Sequence, residues 1–69
     1  MKISARNILN GKVTEIVKGA TTSHVRIDIG GGVIVTASIT NEAVADLALE
    51  KGKQAYAVIK ASDVIVGID

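Results

Sequence analysis

Two short polar clusters, one near each end of the chain, hold the residue types best suited to chemistry. Ser4 and Arg6 stand two residues apart, which in an extended segment puts them on one side, about 6.6 Å from each other. Lys60 and Ser62 share a side in the same way if the chain there stays extended. Together they offer two cations, two hydroxyls and neighbouring backbone N–H groups, and neither cluster contains a carboxylate. A donor-only set suits a tetrahedral oxyanion. Arg donates two parallel bonds to adjacent oxygens, Lys supplies a compact charge, and hydroxyls fill the remaining lone pairs. The same residues also fit a plainer role as solvated side chains at strand ends, and spacing alone leaves both readings open.

Catalytic readings of the remaining residues fail one at a time. A Ser/His/Asp set from Ser23 or Ser38, His24 and an aspartate assembles only on paper. His24 lies on the polar face of an alternating segment beside Thr22 and Arg26, with no oriented nucleophile, and reads as a solvated surface residue. Gly30-Gly31-Gly32 lacks the Gly-Lys-Ser/Thr ending of a phosphate loop and precedes a strand rather than a helix. Gly11-Lys12 and Gly52-Lys53 fail the same test, being followed by Val13 and Gln54. The carboxylates are scattered, and one His with no Cys cannot build a Cys/His metal cage. These residues point to a binding protein rather than an enzyme, with no cofactor and no metal held directly by protein ligands.

The elements that must position the clusters read mostly with a period of two. Val25, Ile27 and Ile29 alternate with His24, Arg26 and Asp28, a half-buried strand over Thr22–Ile29. The triple glycine then closes a hairpin into a strand over Val33–Ile39. Asn10-Gly11 reads as a turn opening a strand over Lys12–Val17, and Lys2–Arg6 as a short extended lead-in. One helix is expected over Asn41–Leu49, where Val44, Leu47 and Ala48 recur at helical spacing, Thr40 or Asn41 can cap the start, and Gly52 can end it. Two further strands are expected over Lys53–Lys60 and Asp63–Ile68. Five strands with one helix between the third and fourth is the order of a small OB-like barrel, a mainly β fold.

Composition constrains the assembly. With 69 residues there is a single domain, 1–69, and a domain of this size buries only about 60% of its unfolded surface. There is no Cys for a disulfide, and Tyr56 is the only aromatic residue, yet 48% of the chain is apolar. Val33-Ile34-Val35, Ala55–Ile59 and Val64-Ile65-Val66 are apolar on both faces and need a second covering layer. A homo-oligomer follows from these facts. A net charge of +1 and a lone aromatic supply neither the basic groove nor the stacking platforms of a nucleic-acid binder, and no segment has the length of a signal peptide or membrane span. The expectation is a cytoplasmic protein without nucleic-acid or membrane partners. An OB-like nucleic-acid-binding or structural module without oxyanion specificity is the alternative.

Ser4-Ala5-Arg6-Asn7-Ile8-Leu9-Asn10-Gly11-Lys12-Val13 resembles the S-A-R-N-x-L-x-G-x-V opening of the molbindin (Mop) family, and Ala57–Val64 resembles its A-x-I-K-A-S-x-V closing signature. The Ile39-Thr40 step before the helix is similar to the family's as well. The resemblance spans essentially the whole chain. It implies a free-standing molybdate-binding TOBE/Mop domain, assembled as a hexamer from dimers, with the oxyanion at subunit interfaces and tungstate bound alike. The implied ligand positions are Ser4, Arg6, Thr40, Lys60, Ala61 and Ser62, with Ala61 acting through its backbone N–H. Thr40 raises a conflict, since one hydroxyl is asked to be both helix cap and anion ligand. The Lys18–His24 turn, with Thr21, Thr22 and Ser23, can form a further anion site where copies converge on an axis; ordinary turn composition explains it equally well.

Overall fold

Val13, Val25, Ile27 and Ala57 form the buried core, contributed by three neighbouring strands, with Leu9, Ile16, Val35, Ile39, Val44 and Leu49 packed around them. A computed structural model describes residues 1–69. The strands are β1 (Asn7–Lys18), β2 (Thr22–Asp28), β3 (Ile34–Thr40) and β4 (Gln54–Ile59). A helix, α1 (Asn41–Asp46), lies between β3 and β4, and a 3-10 turn, η1 (Ala61–Asp63), follows β4. The antiparallel sheet has the order β3-β2-β1-β4.

β1 organises the sheet because it pairs on both sides. Its first half, Asn7–Lys12, faces β4 from Ile59 back to Gln54, and its second half, Lys12–Lys18, faces β2 from Asp28 back to Ser23. Between the halves the register shifts at Thr14, where the Val13↔Ile27 rung is followed by Glu15↔Arg26. One extra residue inverts the alternation, so Val13 and Ile16 both turn inward while Val17 is 51% exposed. The Thr14 hydroxyl donates to the Arg26 carbonyl at 3.3 Å within the bulge.

The β2–β3 hairpin forms as its alternation predicts. Gly30, Gly31 and Gly32 all have positive φ, Val33 N donates to Gly30 O at 3.1 Å, and the Asp28 carboxylate accepts from Gly30 N at 2.8 Å. These three glycines serve a turn.

Three expectations are corrected. Asn10-Gly11 is no turn but lies inside β1, which begins at Asn7 instead of Lys12. Glycine is needed there for close approach, since a Cβ at Gly11 would sit 2.3 Å from the Asp28 carbonyl oxygen. The helix ends at Asp46, short of Leu49. Ala48 turns left-handed at φ 49, and the Lys53 ammonium takes the Ala48 carbonyl at 3.0 Å. The sheet has four strands, not five, forming a curled half-barrel. Asp63 N donates to Lys60 O and Val64 N to Ala61 O, closing η1 and turning the chain off the ladder. Beyond it Ile65, Val66 and Ile68 are 94%, 87% and 95% exposed.

Candidate functional site

The last rung of the β1–β4 ladder pairs Asn7 with Ile59. Arg6 therefore precedes, and Lys60 follows, the same point of the sheet on two adjacent strands. Ser4 and Arg6 from one strand end and Lys60, Ala61 and Ser62 from the other surround one open depression of about 480 Å³, completed by Ile3 and Ala5. Two clusters 56 residues apart in sequence, counted from Ser4 to Lys60, thus meet within a single chain.

The local backbone makes this end a set of donors. The chain leaves β4 extended at Lys60, with φ −61 and ψ 132, and then enters η1. Lys60 and Ser62 consequently do not share a side as an extended strand would have it. The first turn of a 3-10 helix leaves its leading N–H groups without intrahelical carbonyls, and Asp63 N is the first here to find one. The Ala61 and Ser62 N–H groups stand ahead of it. No carboxylate lines the depression, and the ion pair of the fold, Glu15 with Arg26 at 3.1 Å, lies elsewhere on the sheet. Neither Arg6 nor Lys60 takes part in an ion pair. The set offers charge-assisted donors and no acceptor carboxylate, which fits a small anion with several oxygens.

Thr40 lies apart from this depression. It ends β3 opposite Thr22, near the Lys18 end of β1, whereas the depression is at the Asn7 end. Eleven steps of about 3.3 Å separate those ends, on the order of 35 Å along the strand. Thr40 is the helix cap, accepting from Ala43 N at 3.0 Å. His24 is exposed on the outer face, as expected of a surface histidine.

Two asparagines matter more than their sequence positions indicated. Asn7 donates its side-chain amide to the Ile59 carbonyl at 3.2 Å, tying the two sides of the depression. Asn41 bonds to the Gly19 and Ala20 carbonyls and accepts from the buried Ser23 hydroxyl. Asn7 sits within the opening motif, which was a signal. Asn41 was visible only as a possible cap, and its long-range partners depend on the fold.

A curled antiparallel half-barrel of OB-like type, with a donor-only depression where its first and last strands end, defines a small β-domain built around an anion-compatible strand junction. The chain belongs to the TOBE domain family, whose model matches residues 3–66, and within it to the molybdenum-pterin-binding, or Mop, proteins. It is 52% identical over 69 residues to a probable molybdenum-pterin-binding protein of Haemophilus influenzae, covering 100% of both chains. A molybdate-binding protein from Sporomusa ovata superposes with a TM-score of 0.91 at 41% identity, covering 99% of this chain and 100% of that one. The cytoplasmic molybdate-binding protein ModG, with molybdate bound, superposes with a TM-score of 0.95 at 48% identity, covering 100% of this chain and 49% of that one.

Proposed function

We propose that this chain reversibly binds molybdate, and tungstate alike, through Ser4, Arg6, Lys60, Ser62 and the Ala61 N–H. The observation that carries this reading is the meeting of both clusters in one depression free of carboxylates. The molybdate-binding descriptions of its structural neighbours support it. Binding makes and breaks no covalent bond, so the role is storage and homeostasis in the cytoplasm by a single domain, 1–69, rather than catalysis. No helix is long and apolar enough to cross a membrane.

The functional unit in this reading is a homo-oligomer, a hexamer built as a trimer of dimers. Only 5 of 69 residues are buried, and the exposed apolar side chains include Ile8, Tyr56, Val58 and most of Val64–Ile68. Exposed apolar surface on this scale marks an association site. Both sheet edges, β3 and β4, are open, and the segment with the pattern of a fifth strand stands clear of its own sheet. A second copy fits this arrangement, and it also supplies Thr40, which no single chain can bring to its own depression.

Selectivity comes from cavity dimensions for sulfate, a dianion of the same shape, and from proton mismatch for phosphate. Near neutral pH phosphate carries a proton, and with no carboxylate in the depression only the neutral Ser4 and Ser62 hydroxyls could accept it, a weaker match than a fully deprotonated dianion makes. Calorimetric titration with molybdate, tungstate, sulfate and phosphate tests the reading. Preference for the first two is expected; equal binding of all four, or none, overturns it. Binding of a single-stranded oligonucleotide at low salt in place of oxyanions would favour the nucleic-acid alternative.

A further inference from the structure

A hydroxyl has one proton to donate and two lone pairs with which to accept. Thr40 commits one lone pair to the Ala43 N–H at 3.0 Å, so its proton remains free. Capping and donation therefore use different parts of the same group, and the conflict raised by its two roles disappears. What matters is whether the hydroxyl is held in one place.

The next residue, Asn41, is tied to the β1–β2 turn. Asn41 N donates to the Thr21 carbonyl at 2.9 Å, its side-chain amide donates to the Gly19 and Ala20 carbonyls at 3.0 and 3.3 Å, and its Oδ1 accepts from the Ser23 hydroxyl. Ser23 is the one buried polar residue, 1% exposed among Val25, Ile27 and the rest of the inner face. The segment is closed on itself as well, with Gly19 N donating to the Thr22 carbonyl at 2.8 Å. Thr22 in turn is the rung partner of Thr40. The β1–β2 turn, the end of β3 and the start of α1 are thus one hydrogen-bonded unit, with Asn41 at its centre and Thr40 on its exposed side.

We propose that Asn41 is a positioning residue for Thr40: by locking the Gly19–Ser23 turn onto the start of α1, it holds the Thr40 hydroxyl ready to donate to the oxyanion bound by a second copy. This rests on the reading above, in which molybdate binds at the Ser4–Ser62 depression and Thr40 arrives from another chain. A donor already fixed in place loses little freedom on binding, so its hydrogen bond appears in the affinity nearly undiminished. Asn41 itself touches no oxyanion.

A double-variant cycle read by calorimetry with molybdate tests this. Thr40→Gly removes the proton donor while adding no charge, and glycine is a tolerated N-cap. It is expected to weaken binding by about tenfold to a hundredfold, the loss of one hydrogen bond to a charged ligand. Asn41→Ala is expected to weaken binding through the same hydroxyl, and to have no further effect once Thr40 is glycine. Additive losses, or an Asn41→Ala variant that melts lower but binds as before, would show a general stabiliser and overturn the proposal. Unchanged binding in Thr40→Gly overturns it too. If Asn41→Ala does not fold, Asn41→Ser, which keeps the backbone bond to Thr21, runs the same cycle. Wild type and Arg6→Ala are titrated alongside. If wild type fails to bind, or Arg6→Ala binds like wild type, the parent reading falls; if both behave as expected and the cycle is additive, only this inference does.

Discussion

Asn7 donates its side-chain amide to the Ile59 carbonyl at 3.2 Å, across the last rung before the two strands separate into the candidate site. The next residues outward on the two strands are Arg6 and Lys60, both cationic. Holding like charges side by side is unfavourable, and under the proposed function a dianion seated between them would relieve the repulsion. Asn7 therefore adds a side-chain bond to the rung that stands next to these two cations.

Asn7→Ala is expected to cost about 1 kcal/mol, the typical worth of one hydrogen bond, and hence to lower Tm by roughly 4–8 °C in a domain of this size. Molybdate affinity should fall with it as the two clusters lose their common anchor. Thermal unfolding and calorimetry on the same samples measure both. A variant with full affinity would show that backbone pairing alone holds the clusters together.

Arg6→Ala and Lys60→Ala should each weaken molybdate binding by about 1.5–3 kcal/mol, one charge-assisted hydrogen bond apiece. Arg6→Lys should recover only part of the loss, because an ammonium cannot donate two parallel bonds to adjacent oxygens. Both side chains are exposed, so the fold should be unaffected, and circular dichroism checks that. Wild-type affinity in both alanine variants would move the site elsewhere.

Gly11→Ala tests the close approach inside β1. The new Cβ would lie 2.3 Å from the Asp28 carbonyl oxygen and 2.8 Å from Ile27 Cγ2, so backbone must shift at the rung where β1 passes from one partner strand to the other. The expected cost is about 3 kcal/mol, the upper end for overpacking, read from chemical denaturation. A neutral result would mean that β1 and β2 separate there at little cost.

Ile65→Asp combined with Val66→Lys should dissociate the proposed oligomer, since these side chains contribute almost nothing to the core of their own chain, being 94% and 87% exposed. Sedimentation velocity reads the outcome. A variant of unchanged mass would place the subunit contacts on the open strand edges alone.

How far the fold was legible depended on which partners a segment needed. The β2–β3 hairpin could be read directly, because Val25 and Ile27 alternate with His24 and Arg26 and the glycines mark the turn. The bulge at Thr14 could not, because it depends on how β1 is shared between β2 and β4. Val64–Ile68 has a strand's composition, but a strand exists only beside another, and η1 carries this segment away from its own sheet. At the site, residue types and spacing picked out both clusters, while their meeting in one chain required the Asn7↔Ile59 pairing. The turn at Ala61–Asp63 is closed by backbone bonds alone, Asp63 N to Lys60 O and Val64 N to Ala61 O, with no side-chain cap, so no residue type marked it in the sequence.

The extra residue at Thr14 has a consequence for how this small protein tolerates change. It acts as a phase shift: the Asn7–Val13 stretch places odd-numbered residues inward, and the stretch after the bulge places Ile16 there instead. Were Thr14 paired as an ordinary strand residue, Ile16 would turn outward; deleting it would leave Leu9, Val13 and Ile16 in one unbroken alternation, all still facing inward. The two ends of β1, one carrying the depression and the other the Asn41-locked turn, are therefore indexed independently. Loss of the one residue at Thr14 would be taken up by loss of the bulge itself, without rotating the residues that matter on either side.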